Sequence, residues 1–193
     1  MSRKNSRTRI LDAALTLITK RGEAGVTMAE IAKAARVSRQ AVYLNFADRG
    51  DLLIALVRYV DEKRGLAQEI QKIANAPTGL EALRVMVSVQ VRMNPGVWAI
   101  ARAMDAVRRT DQAVERSWLD RLNSRLEGCR AIVARLARDG VLRKELPASA
   151  AADILWSVTS LRTWEDLVLQ RGWTAAQYEE RIYKLLLSTL TSK

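Results

Sequence analysis

Apolar residues recur at intervals of three and four along almost the whole chain, and the strict alternation that marks a strand is nearly missing. That periodicity restricts the chain to an all-α fold of amphipathic helices. Helix starts can be read from the caps. Thr27 with Glu30, Asp48 with Asp51, Thr78 with Glu81, and Thr174 with Gln177 each pair a side chain that accepts from the N3 amide with an acid or Gln that reaches back. Stops are marked by Gly22, Gly140 and Gly172, which adopt left-handed backbone readily, and by Pro77, Pro95 and Pro147. These signals predict nine helices, over 8–21, 27–34, 38–45, 48–74, 79–92, 96–109, 112–138, 149–171 and 175–191.

The formal charge of +11 is unevenly spread: residues 1–50 hold 10 Lys/Arg against 4 Asp/Glu, and the remaining residues hold 22 against 17. A basic surplus suits a polyanionic partner, and its concentration in the first quarter places that partner at the N-terminal end. Histidine is absent. Its absence removes the commonest general base, the commonest zinc ligand and every Ser-His or Cys-His pair, so no catalytic residue, metal or cofactor is expected and an all-helical enzyme is disfavoured. Cys129 is the single cysteine, which excludes an intramolecular disulfide. Without an apolar leader or a stretch long enough to span a bilayer, the expected location is the cytoplasm, with no membrane partner.

Three short helices open the chain. Thr27-Met28-Ala29-Glu30-Ile31-Ala32 begins the second, Ser38-Arg39-Gln40-Ala41-Val42-Tyr43 forms the third, and Ala35-Arg36-Val37 joins them, a helix-turn-helix pattern. Ile31, Ala32, Ala35, Val37 and Val42 supply the packing against Leu11, Ala14, Leu15 and Ile18, with small alanines permitting a steep crossing. A third helix lying in the major groove would bring Ser38, Arg39 and Gln40 to base edges, Arg suiting guanine and Gln adenine. Thr27, Tyr43 and Arg49 would hold phosphates from helix ends or the flank, and Arg3, Lys4, Arg7 and Arg9 would add backbone or minor-groove contacts. Taken singly, each of these basic residues reads equally as a solvated helix face; together they point to DNA.

The run from Thr27 to Phe46 resembles the signature of TetR-family transcriptional regulators, and the likeness covers about the first 60 residues. Three positions depart from it: Arg36 where the family usually has Gly, Asn45 where His or Tyr is common, and Arg49 in place of Lys. A left-handed Arg36 would cost on the order of 1 kcal/mol while offering a phosphate contact, and Asn45 is expected with it among the DNA-binding residues.

The resemblance implies a helix-turn-helix domain over 1–47 and an effector-binding and dimerising domain over 48–193, with the last two helices pairing between protomers. Apolar faces agree with this independently: Ile154, Leu155, Val158, Leu161, Ile182, Leu185 and Leu186 exceed what one protomer readily covers. A two-fold dimer would set two recognition helices about 34 Å apart on an inverted-repeat operator. Met86, Met93, Trp98, Met104, Trp118, Cys129 and Trp156 could wall an adaptable apolar pocket, although Met and Trp at helical spacing ordinarily fill a core. The resulting expectation is a homodimeric repressor released from operator DNA by a small apolar or amphipathic effector. The alternative is an architectural or activator-type dimeric DNA-binding protein without an effector.

Overall fold

In the computed structural model, which describes residues 3–21 and 26–192, the backbone forms α1 (Arg3–Arg21), α2 (Met28–Ala35), α3 (Arg39–Tyr43), α4 (Arg49–Lys63), α5 (Leu66–Asn75), α6 (Gly79–Arg108), α7 (Gln112–Arg138), α8 (Ala148–Val158), α9 (Leu161–Trp164) and α10 (Ala175–Leu190). The all-α expectation holds among the described residues, where the nearest approach to a sheet is one antiparallel bridge between Leu142 and Thr191. Among the described residues ten α-helices stand where nine were expected, and each difference has a local cause.

The run expected over 48–74 breaks because Gly65 takes a left-handed conformation, φ 70°, ending α4 and letting α5 restart at Leu66. Pro95 was expected to separate two helices; α6 instead runs through it. Proline cannot donate to the carbonyl of Val91, but buried Met93 and Asn94 before it and Ala99 and Ile100 after it anchor the helix on both sides. The run expected over 149–171 divides at Thr159. Its hydroxyl bonds back to the Leu155 carbonyl at 2.7 Å, and Ser160 caps a new start by accepting from the Thr163 amide at 3.0 Å. From Trp164 the chain continues as a π-helical turn, Glu165–Gln170, and stops at left-handed Gly172. Gly140 ends α7 in the same conformation, while Gly22 lies outside the described residues.

The caps follow the sequence signals in two full capping boxes, Thr27 with Glu30 and Thr174 with Gln177. At Asp48 the carboxylate accepts from Asp51 N at 2.8 Å, but the return bond reaches Ala47 N. At Thr78 the Glu81 carboxylate meets the threonine hydroxyl instead of its amide.

Packing divides the chain into two units. The first joins Met1–Arg64 to Gly96–Asp120; its core brings Ile10 and Ala14 of α1, Ile31 of α2, Val42 of α3 and Leu53 and Leu56 of α4 together with Ile100 and Met104 of α6. Gly50, in the first turn of α4, lies so close to Asp111 that a Cβ there would meet Asp111 Oδ2 at 2.0 Å. Asp111 in turn caps α7 by accepting from Val114 N at 3.1 Å. The second unit joins Gly65–Pro95 to Arg121–Lys193. There Gly79 permits the start of α6 to approach the α7 backbone: a Cβ would meet Leu136 N at 2.7 Å. The Arg135 guanidinium closes the end of α5 by donating to the carbonyls of Ile73, at 2.8 Å, and Ala76. Expected interface residues Leu155, Ile182 and Leu186 belong to this unit's own core, with 3% exposure or less.

Candidate nucleic-acid interface

The second and third helices are locked before they are displayed. Thr27 Oγ1 accepts from Glu30 N at 3.2 Å, and the Glu30 carboxylate accepts from Thr27 N at 2.9 Å and from Arg21 at 2.5 Å. The Thr27 backbone donor first, and the Arg21 guanidinium after it, pull the Glu30 carboxyl down to about 2. At the turn Arg36 is left-handed, φ 53° and ψ 47°, the conformation expected for the position. Arg9 braces it from α1 by donating to the carbonyls of Ala35, at 2.5 Å, and Arg36, at 2.9 Å. A further clasp ties α1 to α4: Asp12 Oδ1 accepts from Tyr59 Oη at 2.7 Å and from Lys63 Nζ at 2.9 Å. The Lys63 bond holds the Asp12 carboxyl below its ordinary value.

On this frame α3 is pinned by one face only. Val42 and Phe46 are buried, and Ser38 caps the helix by accepting from Ala41 N at 3.0 Å. Ser38, Arg39, Gln40, Tyr43 and Leu44 all face outward, Tyr43 at 44% exposure, and the Arg39 guanidinium lies 5.7 Å from the Tyr43 ring centre. The helix offers hydroxyl, guanidinium and amide groups side by side, with no acid in its five residues. Thr27 and Arg36 are exposed at the two ends of α2, and half-buried Arg49 opens α4.

Beside Thr27, Ser38 and Arg9, two further side chains expected to face DNA are engaged internally. Asn45 donates through Nδ2 to the Ala41 carbonyl at 2.8 Å, closing the end of α3. Arg7 lies 4.4 Å over the Phe46 ring and donates to the Asn45 carbonyl at 2.8 Å, so it fastens α1 to the exit of α3. Arg3 and Lys4 lie within α1, and their side chains fall outside the described residues.

The geometry has close counterparts among known proteins. Residues 10–56 match the model for bacterial regulatory proteins of the tetR family. Over this segment the chain is similar to the TetR family. An HTH-type transcriptional regulator of Mycobacterium tuberculosis is 43% identical over 95 residues, 47% of this chain and 46% of that protein, so the match spans about half the relative's length. The HTH-type transcriptional repressor LfrR of Mycolicibacterium smegmatis is 28% identical over 194 residues, 99% of this chain and 91% of LfrR. Bacillus subtilis FadR, a transcriptional regulator solved in complex with stearoyl-CoA, shares the fold with a TM-score of 0.70 at 20% identity, over 94% of this chain and 97% of that one. The turn between α2 and α3 within the matched segment is left-handed at an arginine.

The seven residues expected to wall an effector pocket are not gathered in one unit. Trp98, Met104 and Trp118 pack with the core of the first unit, whereas Met86, Met93, Cys129 and Trp156 belong to the second. An open groove of about 630 Å³ in the second unit, lined by Gln68, Lys72, Pro77, Arg84 and Val85 among others, includes none of the seven.

The second unit also holds a polar cluster that helical periodicity alone did not single out. Arg125 of α7 stacks 4.6 Å from the Trp156 ring and donates to Thr159 Oγ1 at 3.2 Å. Cys129 and Tyr178 are buried close to its charge. Burial pushes the Cys129 thiol up to about 11 and the Tyr178 phenol up to about 12, against the opposing pull of Arg125, so both are neutral at pH 7.

The expected dimer face is narrowed and corrected. Leu155 of α8 and Ile182 and Leu186 of α10 are buried in the protomer's own core, where α10 packs against α8 and the π-helical turn. Ile154, Val158 and Leu161 are half-buried, and Leu185 is 49% exposed.

Proposed function

We propose that this chain is a sequence-specific, cytoplasmic DNA-binding regulator of transcription, a repressor that leaves an inverted-repeat operator when a small apolar or amphipathic effector binds. The observation that carries the reading is α3, fastened through Val42 and Phe46 while Ser38, Arg39, Gln40 and Tyr43 remain outside the core. Ser38, Arg39 and Gln40 read base edges; Thr27, Arg36, Tyr43 and Arg49 hold phosphates. Arg7 and Asn45 shape the end of α3, and their role at DNA is to keep that helix in register. The chain acts as a homodimer through Ile154, Val158, Leu161 and Leu185 of its C-terminal helices, and it is not a catalyst. The division into a reading domain over 1–47 and a responding domain over 48–193 is part of this proposal. Among the described residues no helix is long and apolar enough to cross a membrane, and no cluster of His, Cys, Asp and Glu is suited to a metal.

Fluorescence anisotropy with DNA from upstream of the protein's own gene tests the reading. Tight, sequence-selective binding is expected, with Arg39→Ala plus Gln40→Ala losing about 2–6 kcal/mol of discrimination between cognate and altered sites. Unchanged site preference in the double variant would sink the base-reading assignment. Binding that is steeply salt-dependent but indifferent to sequence would favour an architectural role.

A further inference from the structure

Leu44 is 66% exposed, more than any other large apolar side chain among the described residues. Its backbone is fixed all the same. The Leu44 amide donates to the Gln40 carbonyl at 2.9 Å, and φ −70° with ψ −19° carries the helical path of α3 through it. On its far side Asn45 Nδ2 closes on the Ala41 carbonyl, and Phe46 is buried beneath Arg7. Gln40 and Leu44, four residues apart, therefore follow one outer line of α3, with exposed Tyr43 beside them. A single exposed leucine on a protein surface ordinarily calls for no partner. This one stands on the outward face of the helix offered to DNA. No acid lies within α3, and the carboxylates that follow, Asp48 and Asp51, are turned to the amides of Asp51 and Ala47 at the start of α4.

We propose that Leu44 is a specificity-determining residue that packs on the C5-methyl group of a thymine. The inference rests on the reading of α3 as the DNA-reading helix, and deepens it by naming a base selected through apolar contact. Hydrogen-bonding groups crowd the major-groove edges of the base pairs, and the thymine methyl is the one apolar group among them. A leucine entering that groove gains contact area there; over any other base edge it would cover donors or acceptors without pairing them. Gln40 and Leu44 are separated by about 6 Å along the helix axis, and successive base pairs rise by about 3.4 Å. With α3 lying along the groove, the thymine thus falls within about two base pairs of the adenine that Gln40 suits.

The full-length protein can select its own duplex from a random pool, and fluorescence anisotropy then tests that duplex with each thymine of one half-site replaced in turn by deoxyuridine, which removes the methyl alone. At one position the parent is expected to lose about three- to tenfold in affinity. Leu44→Ala should bind the thymine and deoxyuridine duplexes alike at that position and keep the parent's response elsewhere. Leu44→Met, which retains an apolar reach, should restore the difference, and both changes fall on an exposed side chain where folding is little affected. At the same position 5-methylcytosine should bind more tightly than cytosine to the parent, and equally to Leu44→Ala. The proposal is overturned if the selected half-site holds no thymine, if the parent tolerates every deoxyuridine, or if parent and Leu44→Ala lose equally at every position, which would give the methyl to another side chain. It is equally overturned if Leu44→Ala weakens scrambled DNA as much as the selected duplex, or if it turns a dimer into monomers in sedimentation, which would give Leu44 to a second copy. Failure of the broader reading looks different. A pool from which no sequence is enriched removes the base-reading assignment of α3 altogether, whereas an enriched duplex indifferent to its methyl groups removes Leu44 alone.

Discussion

Arg36 follows α2 in a conformation that costs an L-residue about 1–2 kcal/mol and glycine almost nothing. Replacing it with glycine is therefore expected to stabilise the protein by about 1 kcal/mol, measured by urea unfolding. The same change should weaken DNA binding and reduce the salt slope by about one phosphate contact. A less stable Arg36→Gly protein would mean that the bond from Arg9 depends on the arginine side chain and not on the backbone shape. The turn was legible in the sequence because its flanking caps and alanines define the motif around it. Arg125 and Tyr178 were not, because a polar residue on an amphipathic helix reads by default as solvent-facing. Spacing held the missing signal: Tyr178 opens the four-residue stripe of Ile182, Leu186 and Leu190, and Arg125 stands one turn before Cys129 on the buried face of α7.

At the level of elements, helix type was legible throughout, because a 3.6-residue apolar period sustained over many turns has few other solutions. Breaks were less so. Gly65 interrupts an apolar pattern that continues unchanged in phase on both sides, so periodicity bridged it, whereas Pro95 advertised a stop that tertiary anchoring overrode. Gly79 shows how a close approach is decided by a single missing methyl. Alanine there would gain up to about 1 kcal/mol of helix propensity, but its Cβ would press on the backbone of Leu136 and Arg135 at 2.7 and 2.9 Å. Backbone cannot swing aside as a side chain does, so overpacking of about 1–3 kcal/mol should win. Gly79→Ala is expected to lower the midpoint of thermal unfolding; an unchanged or raised midpoint would show that α6 slides freely over α7.

For the molecule as a whole, the sequence overstated the surface available for pairing, since apolar spacing cannot tell a face turned toward a partner from one turned toward a neighbouring helix. Leu155, Ile182 and Leu186 fill the protomer, and Leu185 is the large exposed apolar side chain left among the seven. Leu185→Glu should therefore raise the dimer dissociation constant by about tenfold or more, because burying an unpaired carboxylate costs well over 1.4 kcal/mol. Sedimentation equilibrium reads this directly, and an undisturbed dimer would move the interface elsewhere. The shared core of the first unit bears on how this fold can be recombined. Ile100 and Met104 are built into the same interior as Ile10, Val42 and Leu53, and Asp111 occupies the space beside Gly50. A chimaera that grafts only residues 1–47 onto another sensor would thus bring a head cut through its own interior, meeting foreign side chains at every seam. Carrying Gly96–Asp120 along with the first 64 residues keeps that interior intact, and makes the transplantable part discontinuous in sequence.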